Sequence, residues 1–190
     1  LEHRRQRQMC IRDRSLSASG FYPWQTTINK KISLTGIGLH KGDNIDITLV
    51  PTKANSGIRF IRTDLDCDII ERTVIPNYKN VSDTNMCTTI KNDYDVKIST
   101  IEHLMAALSG TGLDNVDIEI NGSEVPIMDG SSDQFVNLIE NTGLIKLPEK
   151  RRFLKITKPV EIKDGDKKCS LSPCDKMKFF ASIDFSDKVI

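Results

Sequence analysis

No apolar run in the chain approaches the ~18 residues that a membrane-crossing helix needs. The first 20 residues, LEHRRQRQMCIRDRSLSASG, also lack the apolar block of about 7–15 residues that defines a secretory signal. There is no CxxC. The five cysteines, Cys10, Cys67, Cys87, Cys169 and Cys174, are odd in number and scattered, which argues against a disulfide framework or a thiolate zinc knuckle and points to the reducing cytoplasm. With three histidines, His3, His40 and His103, any histidine-based metal site has few donors to draw on. Neither GxGxxG nor GxxxxGK[ST] occurs, so a phosphotransferase built on a glycine-rich phosphate loop is disfavoured.

The composition, 38% hydrophobic and 28% charged, fits a soluble globular protein, and 190 residues suffice for one core or for one domain with part of a second. A net charge of +1 hides an asymmetry. Arg4, Arg5, Arg7, Arg12 and Arg14 crowd the first 14 residues, which hold no lysine, whereas the remainder is rich in lysine and slightly acidic. Such a jump suits a foreign or disordered leader, assigned to residues 1–23, better than a transit peptide or a nucleic-acid arm. With the leader set aside, nothing points to nucleic acid.

From Gln25 the pattern becomes regular. Thr26–Leu34 alternates loosely, Gly36-Ile37-Gly38 interrupts it, and Asn44–Val50 alternates cleanly up to Pro51, which predicts two strands joined by a glycine-bearing turn. Ile58–Arg62 predicts a third strand and Thr84–Lys91 a short fourth. Val116, Ile118 and Ile120 alternate with acids, and Asn121-Gly122 then predicts a hairpin into Glu124–Met128. A helix is expected over about 133–141, with Phe135, Leu138 and Ile139 as its apolar face, a Ser131/Gln134 capping box and Gly143 as its stop. Residues 145–152 read as a polar connector. Phe153–Ile156, Val160–Ile162, Lys168–Ser172 and Phe179–Asp184 then predict strands of a second β-rich unit with no helix to cover it.

The segment Ser99–Gly110, STIEHLMAALSG, carries the most chemistry. Ser99 and Glu102 have capping-box spacing, and Ile101, Leu104, Met105 and Leu108 repeat at i, i+3, i+4 and i+7, so a short amphipathic helix is expected, stopped by Gly110 and Gly112. Glu102 and His103 fall off the apolar stripe, His103 on the side of the small residues Ala106 and Ala107. An adjacent carboxylate and imidazole can begin a metal-bound hydrolytic site. They can equally be a cap partner and a half-buried histidine.

Five motifs decide between these readings: TGIGLHKG at Thr35–Gly42, TNMCT at Thr84–Thr88, TIEHLMAAL at Thr100–Leu108, GLDN at Gly112–Asn115, and EVPIMDGS at Glu124–Ser131. In this order they resemble the zinc-dependent UDP-3-O-acyl-N-acetylglucosamine deacetylase family of lipid A biosynthesis, a resemblance that runs from about Gln25 to the end. It implies an α+β fold, a two-layer sandwich in which a small, mostly antiparallel sheet packs on two helices. Residues 24–147 would form the first such domain and residues 153–190 the opening strands of a second. It also implies Zn2+ as cofactor, His103 as one zinc ligand and Glu102 as the general base that activates water against the acetamide. His40, Thr84, Met86, Cys87 and Asp129 match accessory or substrate-lining positions. Taken as residues, they read as well as a turn histidine, packing groups and an Asp-Gly turn.

The resemblance further implies a Gram-negative type of cytoplasm and a UDP-sugar substrate. It leaves open the oligomeric state and the acyl length accepted. The family's other two zinc ligands lie in an H-K-x-x-D pattern that is absent from residues 24–190. The expectation is therefore a chain that is inactive alone, with a non-catalytic fragment or interaction module of the same fold as the alternative.

Overall fold

A computed structural model describes residues 23–175 and 178–183, so the arginine-rich leader and Asp184 lie outside the described residues. The chain divides into two units, Pro23–Arg151 and a second whose described part is 152–175 and 178–183. The architecture is α+β, as expected.

In the first unit a five-stranded sheet carries the core. Its members are β2 (Ile32–Ile37), β3 (Asn44–Pro51), β4 (Ile58–Arg62), β5 (Thr73–Val74) and β9 (Val116–Ile120), in the order β2-β3-β9-β4-β5. β4 and β9 run parallel and the other pairs antiparallel. Alternation explains the sheet: Ile45, Ile47 and Leu49 on β3 and Val116, Ile118 and Ile120 on β9 all point to one buried face. Two helices complete the same core, α1 (Glu102–Thr111) through Leu104, Ala107 and Leu108, and α2 (Asp133–Thr142) through Phe135 and Ile139. Each of the leucines, isoleucines and Phe135 among these, fully buried, contributes roughly 1.5–3 kcal/mol of transfer free energy.

Two smaller sheets flank this one. β1 (Trp24–Ile28) pairs with β10 (Leu144–Lys150), and β6 (Val81–Asp83), β7 (Thr89–Lys91) and β8 (Lys97–Ile98) form a three-stranded ribbon. The second unit shows one hairpin, β11 (Val160–Asp164) with β12 (Lys167–Leu171), closed by Gly165 at φ 56°.

Several expectations are corrected. Thr26–Leu34 is two strands in different sheets, and β2 runs through Gly36, because that glycine lies against the Pro126–Met128 segment: a Cβ there would meet Met128 Sδ at 2.7 Å. The expected strand over Thr84–Lys91 shrinks to β7, since residues 85–87 bend. No hairpin follows Asn121-Gly122. Both sides of β9 are occupied by β3 and β4, Gly122 is not among the positive-φ glycines, and Asn121 instead accepts from the Asp46 amide. The connector is the strand β10, whose Lys146 lies 3.9 Å over the Trp24 ring and whose Pro148 is tolerated at a sheet edge. Phe153–Ile156 and residues 179–183 form no strand.

Candidate active site

Neither helix starts as its sequence suggests. At α1 the position before the helix is Ile101, which has no side chain to cap it; Ser99 Oγ donates to Ser123 O, and Glu102 turns to another segment. At α2, Ser131 Oγ accepts from the Asp133 amide and donates to Asp129 Oδ1, with no reciprocal bond from Gln134 to the helix start. The far end of α1 closes as expected: Gly112 adopts φ 77° and returns its N–H to Leu108 and Ser109, while Gly110 stays inside the helix.

Freed from the cap, Glu102 Oε2 accepts the backbone N–H of Thr88 at 3.2 Å. The same residue receives the Ile101 N–H on its carbonyl at 3.5 Å, so the turn after Cys87 clasps the first residues of α1 at two points. Glu102 Oε1 has no hydrogen-bond partner among the described residues. His103 is half-buried beside it, and its ring nitrogens bond to no described side chain or backbone group. Ala106 is exposed near this face, but Ala107 is sealed in the core and leaves no room there.

The backbone entering the helix is unusual. Thr100, a β-branched residue, sits at φ 57° with 2% exposure. Left-handed backbone is costly for such a residue and persists where surroundings enforce it. Ser99 is pinned on both sides, its N–H to Ser123 O at 2.9 Å and its C=O to the Val125 N–H at 3.0 Å. Between these bonds, the Glu124 side chain returns to the Thr100 hydroxyl, accepting it on Oε1 at 3.0 Å. Glu124, 2% exposed, also accepts the His40 N–H at 3.0 Å.

The other expected residues scatter. His40 presents its ring to solvent and reaches the site only through its amide and Glu124. Thr84 and Met86 are exposed, Met86 at φ 64°, and Cys87 is half-buried with its Sγ 3.7 Å from Thr89 Oγ1. Asp129 is exposed at the approach to α2, where the Ser131 amide and then its hydroxyl hold the carboxyl below the usual range. Asp114 and Asn115 of the GLDN motif are structural. Asp114 takes both an Arg151 guanidinium contact at 2.8 Å and the Thr26 amide at 2.8 Å, and buried Asn115 joins Gln25, Thr26 and Gly57.

The family model of UDP-3-O-acyl N-acetylglycosamine deacetylase matches residues 25–190. The chain belongs to that family. It is 46% identical over 165 residues to the UDP-3-O-acyl-N-acetylglucosamine deacetylase of Neisseria meningitidis serogroup C (strain 053442), a match covering 87% of this chain and 53% of the relative. To the enzyme of the same name from Idiomarina loihiensis it is 42% identical over 166 residues, again 87% of this chain and 53% of the relative. The chain thus spans about half the length of the curated relatives it matches.

A catalytic zinc site keeps about three protein ligands. Among the described residues no three His, Cys, Asp or Glu side chains gather as a metal-binding group. The described residues do not by themselves make a zinc site. Among them, too, no helix is long and apolar enough to cross a membrane.

Thr88, Thr100 and Glu124 were not foreseen. In the sequence Thr88 lies in an expected strand, Thr100 between the expected Ser99 cap and the helix, and Glu124 at the start of the second arm of an expected hairpin. Only the two glycines of GIG hint at a close approach: a Cβ on Gly38 would stand 2.8 Å from Glu124 Oε2.

Proposed function

We propose that this chain supplies the base-bearing wall of a zinc-dependent cytoplasmic deacetylase that hydrolyses the acetamide of UDP-3-O-acyl-N-acetylglucosamine in lipid A biosynthesis. The observation that carries the reading is the first turn of α1, where Glu102 has one oxygen fixed by the Thr88 amide and the other unengaged, next to an imidazole with unengaged nitrogens. Zinc, when bound, would lower the pKa of a ligated water to roughly 7 and polarise the acetamide carbonyl.

The chain's own residues have defined tasks. The Thr88 N–H holds Oε2 and leaves Oε1 to take a proton from the attacking water. As the C–N bond breaks, Glu102 returns that proton to the departing amine, giving acetate and the free amino sugar. Glu102 and His103 are neighbours in the first turn of α1, so the base and the metal donor leave the same stretch of backbone. With one such donor, the described residues alone are not expected to bind zinc tightly or to release acetate.

The test is acetate release and zinc content in the full-length protein. Glu102→Ala should lower turnover by about 10²–10⁴-fold with zinc retained, whereas His103→Ala should lose the metal. Near-native turnover in Glu102→Ala would refute the assignment. A second reading, a non-catalytic interaction module, draws on the exposed Val160, Ile162 and Leu171 of the β11–β12 hairpin. It requires that Glu102→Ala leave the protein's function untouched.

A further inference from the structure

Glu124 is a buried carboxylate that the reaction above does not use, and its three contacts share one direction. It accepts the Thr100 hydroxyl at 3.0 Å and the His40 N–H at 3.0 and 3.3 Å on its two oxygens, and Gly38 lies so close that a Cβ would meet Oε2 at 2.8 Å. Thr100 is the residue that most needs holding. Its left-handed φ of 57° is unfavourable for a β-branched side chain, and it stands two positions before Glu102. The backbone bonds at Ser99 fix the residue before it, and the Thr88 carbonyl fixes the one after.

We propose that Glu124 is a positioning residue. It clamps Thr100 in the left-handed region and ties the His40 turn to the same point, so that Glu102 and His103 leave the backbone in one fixed orientation. Its catalytic consequence rests on the deacetylase reading; the clamp itself does not. Without the clamp Thr100 relaxes toward negative φ and the first turn of α1 rotates. Misplacement of about 1 Å at a reacting group costs on the order of 10²-fold in rate.

Glu124→Gln keeps the shape of the side chain but removes the charge that strengthens both bonds to Oε1, and it sets an N–H donor at the Oε2 position against the His40 N–H. In the full-length protein, kcat should fall about 10- to 100-fold with KM changed less than about threefold, as expected for loss of orientation rather than of substrate binding. Gly38→Ala, which displaces Oε2 without deleting it, should produce the same split. Adding Thr100→Gly to Glu124→Gln should restore most of the lost kcat, because glycine holds positive φ at little cost. A merely structural Glu124 would give the opposite result, since glycine would loosen the segment further.

Amide hydrogen exchange gives a readout independent of turnover. In Glu124→Gln it should accelerate at His40 and also at Ile101, which Glu124 does not touch. Unchanged exchange at Ile101, or a double variant no better than the single one, would overturn the proposal. If the unsubstituted protein releases no acetate, the deacetylase reading fails, and the exchange result still decides whether the clamp exists.

Discussion

The strands β9 and β11 carry the same kind of pattern and meet different fates. In β9, Val116, Ile118 and Ile120 alternate with acids and are wholly buried, because β3 and β4 flank the strand and two helices join the same core. In β11, Val160 and Ile162 alternate with charged residues just as cleanly, yet the strand is exposed throughout, as is β12. Alternation makes a strand; burial requires a second layer. Lone two-stranded hairpins are marginal in water, so the β11–β12 pair leans on its two-residue turn and on Glu161, which bonds Lys168 at 2.5 Å and Lys163 at 3.3 Å.

The widest separation between the units should come from truncating their apolar residues. Phe60→Ala, in the closed core, is expected to cost about 3–5 kcal/mol, read as a lower denaturation midpoint, whereas Ile162→Ala should stay within about 0.5 kcal/mol. Equal costs would mean that Ile162 is covered, and the contrast between the units would collapse. A smaller effect probes how the edge of the first unit is fastened. Arg151→Ala leaves Asp114 without its guanidinium partner and should cost about 1–3 kcal/mol; a silent substitution would show that the Thr26 contact alone suffices.

The smallest effect concerns pH. Lys168, then Lys163, holds the Glu161 carboxyl below its ordinary value of 4.5. Because the folded value is the lower one, the pair's contribution is present above the unfolded pKa and fades as pH falls through the folded one. Acidification from neutral should therefore weaken the hairpin only below about pH 4.5, and added salt should mimic the loss at neutral pH. A hairpin signal insensitive to both would show that the ion pairs contribute nothing there.

Much of the site's framework was legible. Ile58–Arg62 and Val116–Ile120 are strands as expected, and of the expected apolar stripes α1 buries Leu104 and Leu108 and α2 buries Phe135 and Ile139, while Met105 and Leu138 stay half-buried. The capping boxes were not realised: Ser99 Oγ donates to the Ser123 carbonyl, and Ser131 Oγ accepts the Asp133 N–H without a reciprocal bond from Gln134. The GLDN motif leads into β9, and its Asp114–Asn115 pair is a junction between segments far apart in the chain.

By itself the sequence determined what local physics decides: the alternating strands β3, β9 and β11, the two helices, where Gly112 ends α1, and that Glu102 and His103 sit side by side at its start. Tertiary structure decided how that pair is held. The Thr100–Glu124 bond spans 24 residues and the His40–Glu124 bond 84, so neither follows from local propensity. They exist because strand order brings three segments to one point, where a buried carboxylate must find donors and a β-branched residue can be kept at positive φ.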